Sequence, residues 1–232
     1  ALFLFPEISQ ASRALKGANH DLLGILVCGL LTLAVGTVDD IYDLRARWKL
    51  VWQIGIAAVA YYFGFAIRVV SNPFGGPVDF GLWSFPITLF WFVGCMNAVN
   101  LLDGLDGLAA GASLFVFMTL FLVGLQFQNM IGMLLMASVG GAVLGFLMYN
   151  FPPARIFLGD SGSMLLGFLV AALSLIATNR KAEAAVALFV PVVALGVPIL
   201  DTTLAIIRRW YKRLPISAPD RGHIHHMLVA MG

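Results

Sequence analysis

Asn97-Ala98-Val99-Asn100-Leu101-Leu102-Asp103-Gly104-Leu105-Asp106-Gly107 lies between two long apolar runs, 84–101 and 107–126. Each of those runs is about 20 residues long, enough to cross a bilayer. The stretch between them therefore sits at a membrane edge. Two amides and two carboxylates recur in it at steps of three. On a helix, three residues turn a side chain back by roughly 60°, so consecutive members share a face. Gly104 and Gly107 then let the chain leave the helix and pass close to a ligand. A lipid-facing surface has no use for such a face, whereas a site for a metal ion and phosphates does.

Working outward, five more runs of spanning length appear, at 22–38, 50–69, 130–149, 162–178 and 185–207. The chain is 60% hydrophobic and only 11% charged, with mean hydropathy +0.93. Soluble domains carry about 25% charged residues. The sequence predicts an all-α, polytopic transmembrane bundle of about seven spans, forming one integral-membrane domain over 1–232. The polar residues 6–21 are expected to form a loop. A turn-rich connection, Ser71 to Pro77, followed by the alternation Val78 to Trp83, predicts a short outer hairpin near 72–83. Cys28 and Cys95 lie inside apolar runs and suggest neither a disulfide framework nor a metal site. The apolar start at Ala1 and the abrupt end at Gly232 are expected to be those of a fragment of a larger protein.

Alternating the seven spans assigns every connection to a side. One side receives Arg45, Arg47, Lys49, Arg155, Arg208, Arg209, Lys212, Arg213 and Arg221; the other receives Arg13, Lys16, Arg68, Arg180 and Lys181. Nine against five makes the first side cytoplasmic by the positive-inside rule. Asp39, Asp40, Asp43, Asp103, Asp106, Asp160 and Asp220 fall on that same side. The rule does not call for acidic clustering, but a divalent cation among phosphates does.

Four further polar features have plainer readings beside the chemical one. Asp39-Asp40-Ile41-Tyr42-Asp43 ends the first span, and its adjacent carboxylates should titrate together. It could be a solvated loop paired with Arg45 and Arg47. Lys49, where a cation opposes the helix dipole, either snorkels or meets an anion. Phe157-Leu158-Gly159-Asp160-Ser161-Gly162-Ser163 heads the sixth span; Asp160, Ser161 or Ser163 could cap it, and a helix start rich in glycine can also cradle phosphate. Phe157 alone favours the core over stacking on a base. Asp220-Arg221-Gly222-His223-Ile224-His225-His226 could hold zinc or lie on a surface loop, though Arg221 suits forked bonds to phosphate oxygens. Asp201, inside the seventh span, reads as structural, and His20 and Glu183 as loop residues.

Taken in order, Asp39 to Asp43, Lys49 to Gln53, Asn97 to Gly107, Phe157 to Ser163 and Asp220 to His226 resemble the polyprenyl-phosphate N-acetylhexosamine-1-phosphate transferases, glycosyltransferase family 4. The ending His223-Ile224-His225-His226 is similar to the branch acting on undecaprenyl phosphate and UDP-N-acetylglucosamine. The branch that loads muramyl-pentapeptide usually shows three consecutive histidines followed by Phe and Glu, a run absent here. Members carry more spans than this chain, so the first and last of them are expected to be missing.

The resemblance implies a reaction. The phosphate of a polyprenyl lipid attacks the β-phosphorus of the UDP-sugar, UMP leaves, and a lipid-linked pyrophosphoryl sugar begins a cell-envelope glycan such as teichoic acid or O-antigen. It implies Mg²⁺, with Mn²⁺ as a substitute, held by Asn100 and Asp160 with Asp103 beside them. Asp39 and Asp40 would face the lipid phosphate. Lys49 would hold pyrophosphate, and Asp106 and Phe157 the uracil, which reverses the core reading of Phe157. Arg221, His223, His225 and His226 would close over sugar and diphosphate. The expected setting is the bacterial inner membrane, with the site on the cytoplasmic face and no nucleic acid partner. A homodimer is the assembly to test. A cation-coupled transporter would place its carboxylates near the bilayer midplane; here they gather at one edge.

Overall fold

The computed structural model describes residues 6–70, 75–177, 184–194 and 196. Seven helices run through them: α1 (Pro6–Tyr42), α2 (Ala46–Tyr62), α3 (Ser84–Leu102), α4 (Leu108–Gln126), α5 (Met130–Asn150), α6 (Gly159–Ile176) and α7 (Ala184–Ala194). Five of them contain a segment long and apolar enough to cross a membrane: Asn19–Tyr42, Gly81–Leu102, Leu108–Gln126, Met130–Asn150 and Gly159–Ile176. The protein is a polytopic helical membrane protein. The two remaining apolar runs are helical but shorter where described. α2 has 17 residues and α7 has 11.

Three expectations are corrected. Residues 6–21 are not a loop: α1 begins at Pro6, a residue whose missing N–H and fixed φ suit a first helical turn. His20 accordingly lies on a helix, its ring 5.5 Å from that of Phe63. The second run does not continue to 69. α2 stops at Tyr62, and Gly64 takes φ +92, which only glycine adopts without strain. The hairpin is displaced to match. β1 (Val69–Val70) pairs antiparallel with β2 (Val78–Asp79), and Gly81–Trp83 is a 3-10 turn leading into α3.

α6 is the central post, packing against α1, α3, α4, α5 and α7, while α4 and α5 form a tight hairpin of their own. Small residues allow the closest approaches. A Cβ on Gly36 of α1 would stand 2.4 Å from Ser161 Cα, and one on Gly167 of α6 would stand 2.5 Å from Met96 Cα. Bundles in lipid gain little from hydrophobic exclusion, so such backbone contacts matter. Phe92, Phe117 and Phe168 fill the interior, with the rings of Phe92 and Phe168 5.5 Å apart. At one end of the bundle, Asn129 caps α5 through Gly132 N and also donates to Ile176 O at the end of α6. The opposite end gathers the last turns of α1, α3 and α5 and the first turns of α2, α4 and α6.

Candidate active site

That end is built by three helix-to-helix turns. α1 stops because Asp43 enters the left-handed region at φ 49, with its N–H on Asp39 O at 2.8 Å. Asp tolerates this better than most residues. Asp39 Oδ1 accepts from Leu44 N at 2.9 Å, so its side chain shapes the turn into α2. The turn delivers Lys49. Its ammonium meets Asp39 Oδ2 at 2.7 Å, is in short contact with Asp160 Oδ1, and faces Asn100 Oδ1 at 3.4 Å. Four residues from α1, α2, α3 and α6 thus converge on one point. Among the described residues, Lys49 makes the only ion pairs.

Asn100 is doubly used. Its amide nitrogen donates to Asp160 Oδ1 and, at 2.8 Å, to Ser163 Oγ one turn into α6. A second rung lies one turn deeper between α2 and α3, where Asn97 donates to Gln53 Oε1 at 2.7 Å. Gln53 is fully buried, and together the two rungs set the register of Lys49 against Asn100. Ser163, Asn97 and Gln53 were part of the sequence motifs, but nothing there marked them as partners.

Asp40 takes another place. Its Oδ1 accepts from Asp160 N at 2.7 Å and its Oδ2 from Ser161 N at 3.1 Å. The first turn of α6 is therefore capped by α1, not by Asp160, Ser161 or Ser163, and Leu158 at the cap position offers no side-chain bond.

The remaining two turns are sewn together. Asn150, buried at the end of α5, accepts from Gly107 N at 3.0 Å and donates to Ile156 O at 2.8 Å. Asp106 Oδ2 accepts from Ala154 N at 3.0 Å. The loop bearing Asp103 and Asp106 is thereby fixed to the loop bearing Phe157. Phe157 is 71% exposed, so the residue-based expectation of a core position was wrong. Asn150 went unnoticed in the sequence because one amide closing an apolar run reads as an ordinary helix end.

Four carboxylates, Asp39, Asp40, Asp103 and Asp160, gather at this end, and Lys49 pairs with two of them, Asp39 and Asp160. Burial, then the negative charges of Asp160 and Asp40, push the Asp103 carboxyl up to about 6. Asp39 Oδ2 is buried without a directional hydrogen bond and touches only the Lys49 charge. Hard oxygens in electrostatic excess suit Mg²⁺. Among the described residues, no three His, Cys, Asp or Glu side chains form a metal cage. Mg²⁺ does not ask for one; it is commonly held by one or two carboxylates, water and substrate phosphates.

Asp220, Arg221, His223, His225, His226 and Asp201 lie outside the described residues, so the expected closing loop is not placed.

Residues 22–178 match the sequence pattern described as Glycosyl transferase family 4. The chain belongs to that family. It is 42% identical over 209 residues to the probable undecaprenyl-phosphate N-acetylglucosaminyl 1-phosphate transferase of Bacillus subtilis, covering 90% of this chain and 58% of that protein. It is 36% identical over 253 residues to the decaprenyl-phosphate N-acetylglucosaminephosphotransferase of Mycobacterium tuberculosis, covering 100% and 62%. It is also 37% identical over 233 residues to the phospho-N-acetylmuramoyl-pentapeptide-transferase of Desulforudis audaxviator, covering 88% and 67%. The chain spans about three fifths of the length of the first two of these relatives. As a family 4 glycosyl transferase, it carries Asp39 to Asp43, Lys49 to Gln53, Asn97 to Gly107 and Phe157 to Ser163 inside the matched segment, and Asp220 to His226 outside it.

Proposed function

We propose that this chain carries the reaction centre of a polyprenyl-phosphate N-acetylglucosamine-1-phosphate transferase. It would move N-acetylglucosamine 1-phosphate from UDP-N-acetylglucosamine to undecaprenyl or a related polyprenyl phosphate and release UMP. The observation that carries this reading is the convergence of Asp39, Lys49, Asn100 and Asp160 at one membrane edge. That edge is where a lipid headgroup and a soluble nucleotide can meet. The names of the Bacillus and mycobacterial relatives point the same way.

Asp160, Asn100 and Asp103 would hold Mg²⁺, which when bound would neutralise the pyrophosphate oxygens and make UMP a better leaving group. The protein's own part is placement and charge. Lys49 holds Asp39 and Asp160 together across three helices, and positioning of this kind supplies much of the rate in transfers between two anions. In this geometry the ammonium bonds Asn100 and Asp160 and is ion-paired with Asp39, so a bond from Lys49 to pyrophosphate would compete with these three contacts. Asp39 is engaged at both oxygens. A base is not needed, since a phosphate monoester with second pKa near about 6 is largely dianionic at neutral pH. The exposed Phe157 ring, beside the tied loops of Asp106 and Asn150, offers a face to the uracil. Arg221 and the histidines would cover sugar and diphosphate. The basic excess on this side argues for a cytoplasmic site in the bacterial inner membrane.

The second reading is transfer of phospho-N-acetylmuramoyl-pentapeptide, favoured by the names of the Desulforudis relative and of one from Halalkalibacterium halodurans. The deciding experiment measures UMP release from both UDP-sugars, with and without Mg²⁺ and polyprenyl phosphate. Release from UDP-N-acetylglucosamine that requires both additions supports the proposal. Turnover of the pentapeptide nucleotide alone replaces it, and release from neither removes it.

A further inference from the structure

Asp40 accepts two backbone N–H groups at the start of α6, from Asp160 and Ser161, 120 and 121 positions along the chain. Helix starts leave several N–H groups without partners, and a carboxylate there also meets the positive end of the dipole. α6 has no cap of its own, because Leu158 at the cap position makes no side-chain bond. Both oxygens of Asp40 are engaged in this way.

The surrounding backbone is shaped to admit this contact. Gly159 has φ +64, and a Cβ there would stand 2.8 Å from Asp40 Oδ1 and 3.0 Å from Oδ2. Gly36, one turn before Asp40 on α1, lies so close to α6 that a Cβ would meet Ser161 Cα at 2.4 Å and Asp160 O at 2.8 Å. Two glycines thus clear the path on either side of one carboxylate. Asp160, whose own N–H takes the cap, is the residue that reaches back to Lys49 and Asn100.

We propose that Asp40 is a positioning residue: its carboxylate caps α6 from α1 and so aims the Asp160 side chain at the metal, instead of contacting the lipid phosphate. Gly159 and Gly36 are part of the same device. This rests on the proposed function for its chemistry, but the contact itself concerns only α1 and α6. A group that orients a metal ligand typically changes metal affinity by about 10–100-fold when removed.

The test uses the full chain in lipid nanodiscs, with Mn²⁺ binding followed by electron paramagnetic resonance and UMP release measured in parallel. The variants are Asp40→Asn, Gly159→Ala and the double variant. Asp40→Asn removes no neighbour and keeps one acceptor, while Gly159→Ala retains every carboxylate and disturbs the cap from the other side, through its Cβ and through the strained φ of +64. The expected result is that each raises the Mn²⁺ concentration for half-binding by about tenfold or more. The double variant should be no worse than the poorer single, because both act on one contact. Excess metal should restore turnover of Asp40→Asn toward that of the unaltered chain. If Asp40→Asn binds Mn²⁺ normally yet loses turnover that metal cannot restore, the carboxylate acts on substrate and the inference is overturned. Normal Mn²⁺ affinity in a folded Gly159→Ala overturns it as well. If the unaltered chain binds Mn²⁺ but releases no UMP from any UDP-sugar, the proposed function falls while the binding measurements still decide the role of Asp40.

Discussion

Asp103 and Asn150 show how single side chains set the behaviour of this face. An isolated aspartate titrates near about 3.9, whereas Asp103 is pushed up to about 6 by burial and by Asp160 and Asp40. Between those values the folded protein holds a proton that the unfolded chain has lost. Stability therefore falls as pH rises through that window and levels off above about 6. In metal-free protein, a series of thermal unfolding curves at stepped pH should show this decline, and Asp103→Asn should lessen it. Added Mg²⁺ should do the same by pulling the proton off. An unaltered slope in Asp103→Asn would count against the assignment. Asn150 is a different case, since it touches only backbone. Replacing it with Ala strands Gly107 N and Ile156 O, at a cost of about 1–3 kcal/mol for groups left unpaired. Because it binds the loops of Asp106 and Phe157 together, the loss should appear as a raised KM for the UDP-sugar with kcat less affected, in steady-state UMP release.

Among the elements, α6 carries the greatest burden, and its contact with α3 is made through Gly167. A methyl group there would meet Met96 Cα at 2.5 Å and Cys95 O at 2.6 Å. Backbone atoms cannot yield as a side chain tip can, so Gly167→Ala should separate the helices at a cost of about 1–3 kcal/mol. Asn100 lies one turn above Met96, so the gap to Asp160 should widen and turnover fall even where the variant remains folded. Parallel measurement of melting temperature and UMP release checks this; a variant matching the parent in both would refute the packing account. How far the elements were legible follows from what announces a helix. α3 to α6 stood out because apolar runs of spanning length end in polar residues. Asp39, Lys49, Asn100 and Asp160 stood out because charged or amide groups beside such runs need a reason. The start of α1 was hidden because residues 6–21 have no apolar run to mark a helix. The end of α2 was hidden for the opposite reason: Phe63-Gly64-Phe65-Ala66-Ile67 continues the apolar run, and only the conformation of Gly64 breaks it. The cap on α6 was unreadable because its two halves lie 120 positions apart. Gln53 and Asn97 became partners only once α2 and α3 were set side by side.

For the molecule as a whole, the alternation of helices puts Arg45 and Ala154 at the end that holds Lys49, and Leu82, 97% exposed, near the other. Single cysteines at these positions should react with a membrane-impermeant maleimide from opposite sides of sealed vesicles. The native Cys28 and Cys95 are buried and should give little background. Labelling of Arg45→Cys and Leu82→Cys from the same side would contradict the threading. The crowding of carboxylates around the single Lys49 ammonium also bears on order of arrival. The proposed UDP-sugar carries negative charge of its own, and Asp40 and Asp103, the carboxylates not paired with Lys49, repel it locally within roughly a Debye length, about 8 Å at physiological salt. The nucleotide is then expected to enter accompanied by its counter-ion, so that the magnesium chelate and not the free dianion is the species whose concentration governs the velocity.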